Sequence, residues 1–158
     1  MPLLRLTSTG EARTAAIGAR LAQCLAPGDV IALSGPLGAG KSVLARAVIR
    51  ALAQDPALEV PSPSFTLVQL YDAQDGTPVW HVDLYRLASP DELVEIGLED
   101  AFGSAITLVE WPERAAGALP ESRLELRLDL GGEGERSLTF EGPADWAPRL
   151  RPLKEAGS

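Results

Sequence analysis

The chain has 158 residues, 46% of them apolar and 23% charged, which suits one domain built around a single sheet and excludes two full catalytic domains. No apolar run approaches the roughly 18 residues of a membrane span, and the start, MPLLRLTSTGEAR, lacks the regions of a secretory signal, so a soluble, cytoplasmic protein is expected. The formal charge of -8 and the absence of any Lys/Arg cluster argue against tight nucleic-acid binding by this chain alone.

In chain order, residues 3–7 read as a short strand, followed by a capping box at Ser8 and Glu11 and a helix to about residue 26 with Ile17, Leu21, Cys24 and Leu25 on one face. Cys24 is the single cysteine, which excludes an internal disulfide and reads as a buried, inert thiol. After the break at Pro27-Gly28-Asp29, residues 30–33 form an apolar run suited to a strand buried on both faces. A glycine-rich turn follows, and from Lys41 a second helix is expected to about residue 53, with Leu44, Ala47, Val48 and Leu52 marking its core stripe. The Pro-Ser-Pro-Ser segment at 61–64 cannot be helical and leads into a strand over 65–71. Residues 79–85 are its hairpin partner, joined by a turn punctuated at Gly76 and Pro78.

Ser89, Pro90, Asp91 and Glu92 open a short acidic helix that ends at Gly97, and another helical piece is expected at 98–102. Residues 106–109 are a compact apolar strand, and two alternating segments, 123–130 and 136–140, read as an antiparallel pair. One domain is expected over 1–145, with residues 146–158, rich in proline and charge, as a poorly ordered tail.

Residues Gly35, Gly38, Ala39, Gly40, Lys41 and Ser42 lie within GPLGAGKS, which matches the phosphate-binding loop in full. Glycines let the backbone curl so that successive N–H groups meet phosphate oxygens at the positive end of the following helix, where Val43 also lies. Lys41 would reach the β- and γ-phosphates and the Ser42 hydroxyl would enter a magnesium shell, which makes ATP and Mg2+ the expected cofactors. An ordinary glycine-rich turn is the alternative, and the flanking strand and helix argue against it.

Such a nucleotide needs a carboxylate at a strand's end. Asp83 and Glu110 each follow an apolar run, Glu110 being the better placed, although each also fits a solvated strand-end acid. Alternation puts His81, Asp83 and Tyr85 on one face, so His81, the single histidine, reads as a catalytic group or as a hydrogen-bonding neighbour of the metal site. Trp111 reads equally as a stacking surface or a partly buried aromatic. Ser62, Ser64 and Thr66 read as γ-phosphate sensors or as a capped turn.

GPLGAGKS, SPSFTLVQLY, HVDLYRL with DELVEIGLED, and VEWPER stand in the order of the TsaE family, also called YjeE, which residues 8–115 resemble. The resemblance implies an α/β, three-layer P-loop NTPase-like domain with a mixed sheet, parallel in the centre and antiparallel at the edges. It also implies slow ATP hydrolysis and work with TsaB and TsaD, which with TsaC make threonylcarbamoyladenosine at position 37 of tRNA, the tRNA being held by the partners. Carried onto this chain, residues 38–42 bind phosphates, Ser42 and Glu110 serve magnesium, Asp83 supports the metal or water, Lys41, Asp83 and Glu110 are the catalytic set, and Trp111 lies near the nucleotide. Ser42 and Ser64 stand where many relatives carry threonine, and both keep the hydroxyl.

Three other classes fit less well. A small-molecule kinase needs an arginine-bearing lid and a helix-rich second half, whereas strands dominate after residue 104. A GTPase needs an Asn-Lys-x-Asp guanine reader, and the chain has no asparagine. A module that only holds nucleotide differs from an ATPase in what Glu110 does for turnover.

Overall fold

The computed structural model describes residues 2–61, 67–89, 91–115 and 117–156. Among these, seven strands form one sheet: β1 (Leu4–Ser8), β2 (Val30–Ser34), β3 (Val68–Asp72), β4 (Pro78–Asp83), β5 (Ile106–Glu110), β6 (Leu124–Leu130) and β7 (Arg136–Glu141). Their order is β1-β7-β6-β2-β5-β4-β3. The four central strands run parallel, through β6–β2, β2–β5 and β5–β4 pairing, while β1–β7, β7–β6 and β4–β3 are antiparallel. The mixed α/β sheet expected from the sequence is therefore the one observed.

Helices α1 (Glu11–Ala22) and α2 (Lys41–Ala53) lie against one face, where Ile17, Leu21, Leu44 and Ile49 pack on Ile31, Leu33, Leu108 and Leu126. On the other face the short helices α3 (Asp91–Glu95) and α4 (Leu98–Ala101) supply Leu93 and Leu98 to a smaller cluster with Val30, Ala32, Val82 and Val109. Strand β2 is apolar throughout because its alternate residues enter two different cores. Strand β6 alternates instead: Leu124, Leu126 and Leu128 are buried, while Glu125 and Arg127 are exposed on the other face, where they line a cavity with Ala32 and Ser34.

The structure corrects four expectations. Ser8 does not cap α1: it ends β1, wholly buried, with its Oγ 2.7 Å from Thr14 Oγ1 and donating to the Gly10 carbonyl at 2.8 Å, and Gly10 takes the cap position. Helix α1 stops at Ala22, and turns carry the chain on to Leu25. The buried stripe of α2 runs through Leu44, Ala45, Val48 and Ile49 in place of Ala47 and Leu52, because the helix is wedged between α1 and the sheet. Finally, the tail expected to be poorly ordered from residue 146 forms α5 (Trp146–Arg149) and α6 (Arg151–Ala156).

Trp146, Leu150 and Leu153 of that tail are buried in the main core. The Trp146 indole donates to the Ser122 carbonyl at 2.8 Å, and Arg149 stacks on the Trp146 ring at 3.9 Å while pairing with Asp29. Buried aromatic area outweighs the unfavourable prolines, Pro148 and Pro152, which fall in first turns where a proline costs no hydrogen bond. The start of the expected 65–71 strand, the 62–66 hydroxyl residues and Pro90 lie outside the described residues.

Candidate functional site

Parallel pairing brings the carboxyl ends of β2, β4 and β5 to one edge of the sheet, the edge at which such folds place ligands. There the chain leaves β2 through Gly35 and curls into α2. Gly35 has φ 137°, and an added Cβ would lie 2.1 Å from the Leu128 carbonyl oxygen, so only glycine fits this close passage beside β6. Gly40, with φ 103°, takes the cap position of α2, whose first turn directs its unpaired N–H groups toward the loop.

Lys41 is 5% exposed. Its ammonium donates to the Gly35 carbonyl and, at 3.3 Å, to that of Pro36, and it lies 4.0 Å from the centre of the Trp111 ring. Burial pushes Lys41 below the ordinary lysine value, and the carboxylates of Glu110, Glu113 and Asp83 partly restore it. A charge so desolvated is held by its neighbours' opposite charge, which ties the loop to the strand-end acids.

Asp83 and Glu110 are direct partners across the β4–β5 ladder and are buried at 6% and 3% exposure. Asp83 Oδ1 accepts the Tyr85 N–H at 3.0 Å, closing the turn that leaves β4. Glu110 Oε2 is 2.6 Å from Nε2 of His81, itself 2% exposed. Like charges placed opposite each other in a ladder repel. Two buried carboxylates side by side, with the Ser42 hydroxyl on the same cavity, are oxygen donors of the kind a divalent cation takes.

Among the described residues no group of three or more His, Cys, Asp or Glu forms a complete cage. Magnesium takes one or two protein ligands and completes its shell with water and phosphate oxygens, a number of ligands that Asp83 and Glu110 could supply. Gly38, Gly40, Lys41, Ser42, Val43, Asp83, Glu110 and Trp111 line one cavity of about 400 Å³, so most of the residues singled out in the sequence converge there. Gly35 closes the loop from behind, and Ala39, 1% exposed, points into the core.

The cavity also takes residues that sequence reasoning did not assign to it: Glu11, Pro36, Leu37, Tyr85 and Arg86. Tyr85 shared the strand face of Asp83, which was a usable signal; its ring is 4.9 Å from that of Trp111, tilted by 46°. Glu11 gave no such signal, because its place depends on how α1 packs beside α2. Trp111 itself has φ 59°, a left-handed conformation that a bulky residue adopts only when its surroundings impose it. Here the imposed turn lays the indole over Lys41 and against Tyr85.

Comparison with known proteins bears on the family and the fold. The profile of the family described as "Threonylcarbamoyl adenosine biosynthesis protein TsaE" matches residues 8–138. Proteins named tRNA threonylcarbamoyladenosine biosynthesis protein TsaE are similar to this chain: that of Rickettsia felis is 36% identical over 83% of this chain and 75% of its own length. That of Bacillus subtilis is 35% identical over 89% and 86%, and that of Mycobacterium tuberculosis H37Rv 40% identical over 73% of each. The crystal structure of Bacillus subtilis YdiB superposes with a TM-score of 0.74 at 28% identity, covering 98% of this chain and 96% of that one. With the loop, the paired acids and the strand order all in place, the chain belongs to the TsaE family of threonylcarbamoyladenosine biosynthesis proteins.

Proposed function

We propose that this chain binds Mg-ATP, hydrolyses it slowly, and acts in the cytoplasm on the complex of TsaB and TsaD homologues during threonylcarbamoylation of tRNA adenosine 37. The observation that carries the reading is the Gly35–Ser42 loop facing two buried carboxylates held in register, Asp83 and Glu110. The loop amides and the amino end of α2 cradle the phosphates, and Lys41 neutralises the β- and γ-oxygens. The Ser42 hydroxyl, Asp83 and Glu110 hold magnesium, which supplies electrostatic stabilisation to the transferred phosphoryl group when bound. Glu110 and Asp83 also orient the attacking water.

The tRNA is reached through the partners. A chain of net charge -8 lacks the cationic surface that phosphate neutralisation demands, so a partner must hold the nucleic acid. Nucleotide binding and hydrolysis change the fit of this chain to TsaB–TsaD and reset that pair between turnovers.

The deciding experiment is ATP turnover of the purified chain with and without TsaB and TsaD, beside Lys41→Ala. Turnover is expected to rise with the partners and to fall about 10²-fold or more in the variant. A TsaB–TsaC–TsaD mixture that modifies tRNA over many turnovers without this protein would refute the coupling.

A further inference from the structure

Among the described residues, His81 is a buried polar group in contact with a site carboxylate that the proposed chemistry leaves unused. Its backbone is fixed on both sides, paired with Gln69 of β3 and Leu108 of β5. Its ring is 2% exposed, and Nε2 lies 2.6 Å from Glu110 Oε2. An ionised carboxylate only accepts, so Nε2 carries the hydrogen and donates it. Among the described residues Nδ1 is buried without a hydrogen-bond partner. A leucine would fill this place without leaving a buried acceptor unpaired, a deficit that costs about 1–3 kcal/mol. The bond to Glu110 is therefore what a histidine contributes here.

Glu110 needs such a partner. Its backbone is paired with Leu33 on one side and Asp83 on the other, but its side chain has three rotatable bonds that backbone pairing does not fix. We propose that His81 is a positioning residue for Glu110: by holding Oε2 it fixes the carboxylate's rotamer and leaves Oε1 to face the metal and its water. Partners behind a metal-facing carboxylate act in this way, and losing one typically weakens metal binding or activity about 10- to 100-fold. The inference rests on the Mg-ATP reading and assigns His81 no contact with nucleotide.

Two substitutions separate this role from packing. His81→Gln places an amide N–H near the position of Nε2 and keeps the donor, whereas His81→Asn is also polar but too short to reach Glu110. Calorimetric titration of ADP at a series of Mg2+ concentrations gives the magnesium midpoint, and titration in EDTA gives metal-free affinity. His81→Asn is expected to raise the magnesium midpoint by at least tenfold, with metal-free ADP affinity within about twofold of wild type, and His81→Gln to recover most of the loss.

Equal midpoints in wild type and His81→Asn, or equal losses in both variants, would overturn the proposal. Should His81→Asn not fold, His81→Leu alone and combined with Glu110→Gln provides the same decision: a positioning role predicts a raised midpoint for His81→Leu alone and no further change once the carboxylate is gone. A wild-type chain that binds no ADP, or binds it without regard to Mg2+, removes the Mg-ATP reading itself and the inference with it.

Discussion

Gly35 shows how a single residue can be fixed by its surroundings. Replacing it with alanine forces a Cβ against the Leu128 carbonyl at a φ that side chains rarely adopt, so Gly35→Ala is expected to cost about 3 kcal/mol or more by urea unfolding and to abolish ADP binding. Cys24 behaves oppositely. Burial raises its thiol above the ordinary cysteine value, the Arg149 charge offsetting this only in part, so the thiolate fraction at neutral pH is small. Alkylation by iodoacetamide is expected to be slow in the folded chain and to accelerate on unfolding. The glycine-rich loop was legible as a motif because its eight residues are contiguous and follow one pattern. The Glu110–His81 bond was not, since it joins residues 29 apart and needs the β4–β5 register. Sequence alternation placed His81 beside Asp83; the side-chain length of Glu110 selects it as the actual partner.

At the level of elements, the tail is the instructive case. Trp146, Leu150 and Leu153 follow the helical spacing i, i+4, i+7, a signal that the surrounding prolines and charges obscured. Because the indole is buried and hydrogen-bonded, Trp146→Ala is expected to destabilise the chain by about 3–5 kcal/mol in thermal or urea unfolding, far more than removal of a frayed terminus would. The α1–α2 contact is tighter still. An added Cβ at Gly18 would lie 2.9 Å from the Leu44 carbonyl oxygen and 3.0 Å from Ala47 Cβ, so Gly18→Val should push the helices apart at a cost of about 1–3 kcal/mol. Element types were readable from periodicity almost everywhere among the described residues. What failed was which residue caps α1 and which face of α2 is buried, and both depend on neighbours that local sequence does not reveal.

For the molecule as a whole, net charge sets a limit on what it touches. At -8, with two lysines and no basic cluster, the isolated chain is expected to retain no tRNA in an electrophoretic shift at low salt, where non-specific binding is strongest. Retention should appear once TsaB and TsaD are added. The parallel centre was foreseeable from the fully apolar runs of β2 and β5, but the strand order was not, because it requires β6 to cross back and lie beside β2. That crossing supplies the Leu128 carbonyl against which the loop is folded.

The indole of Trp111, one residue beyond Glu110 and in contact with the Lys41 ammonium, has an optical consequence. Trp146 is deep in the core and Trp80 packs in the opposite layer, so replacing both with phenylalanine leaves a single fluorophore at the phosphate loop. A fixed positive charge 4.0 Å from a ring shifts its excited-state energy, and moving that charge changes colour and yield. The emission of this one side chain is thus a voltmeter for the lysine, and it is expected to shift on titration with nucleotide if the ammonium leaves the Gly35 and Pro36 carbonyls.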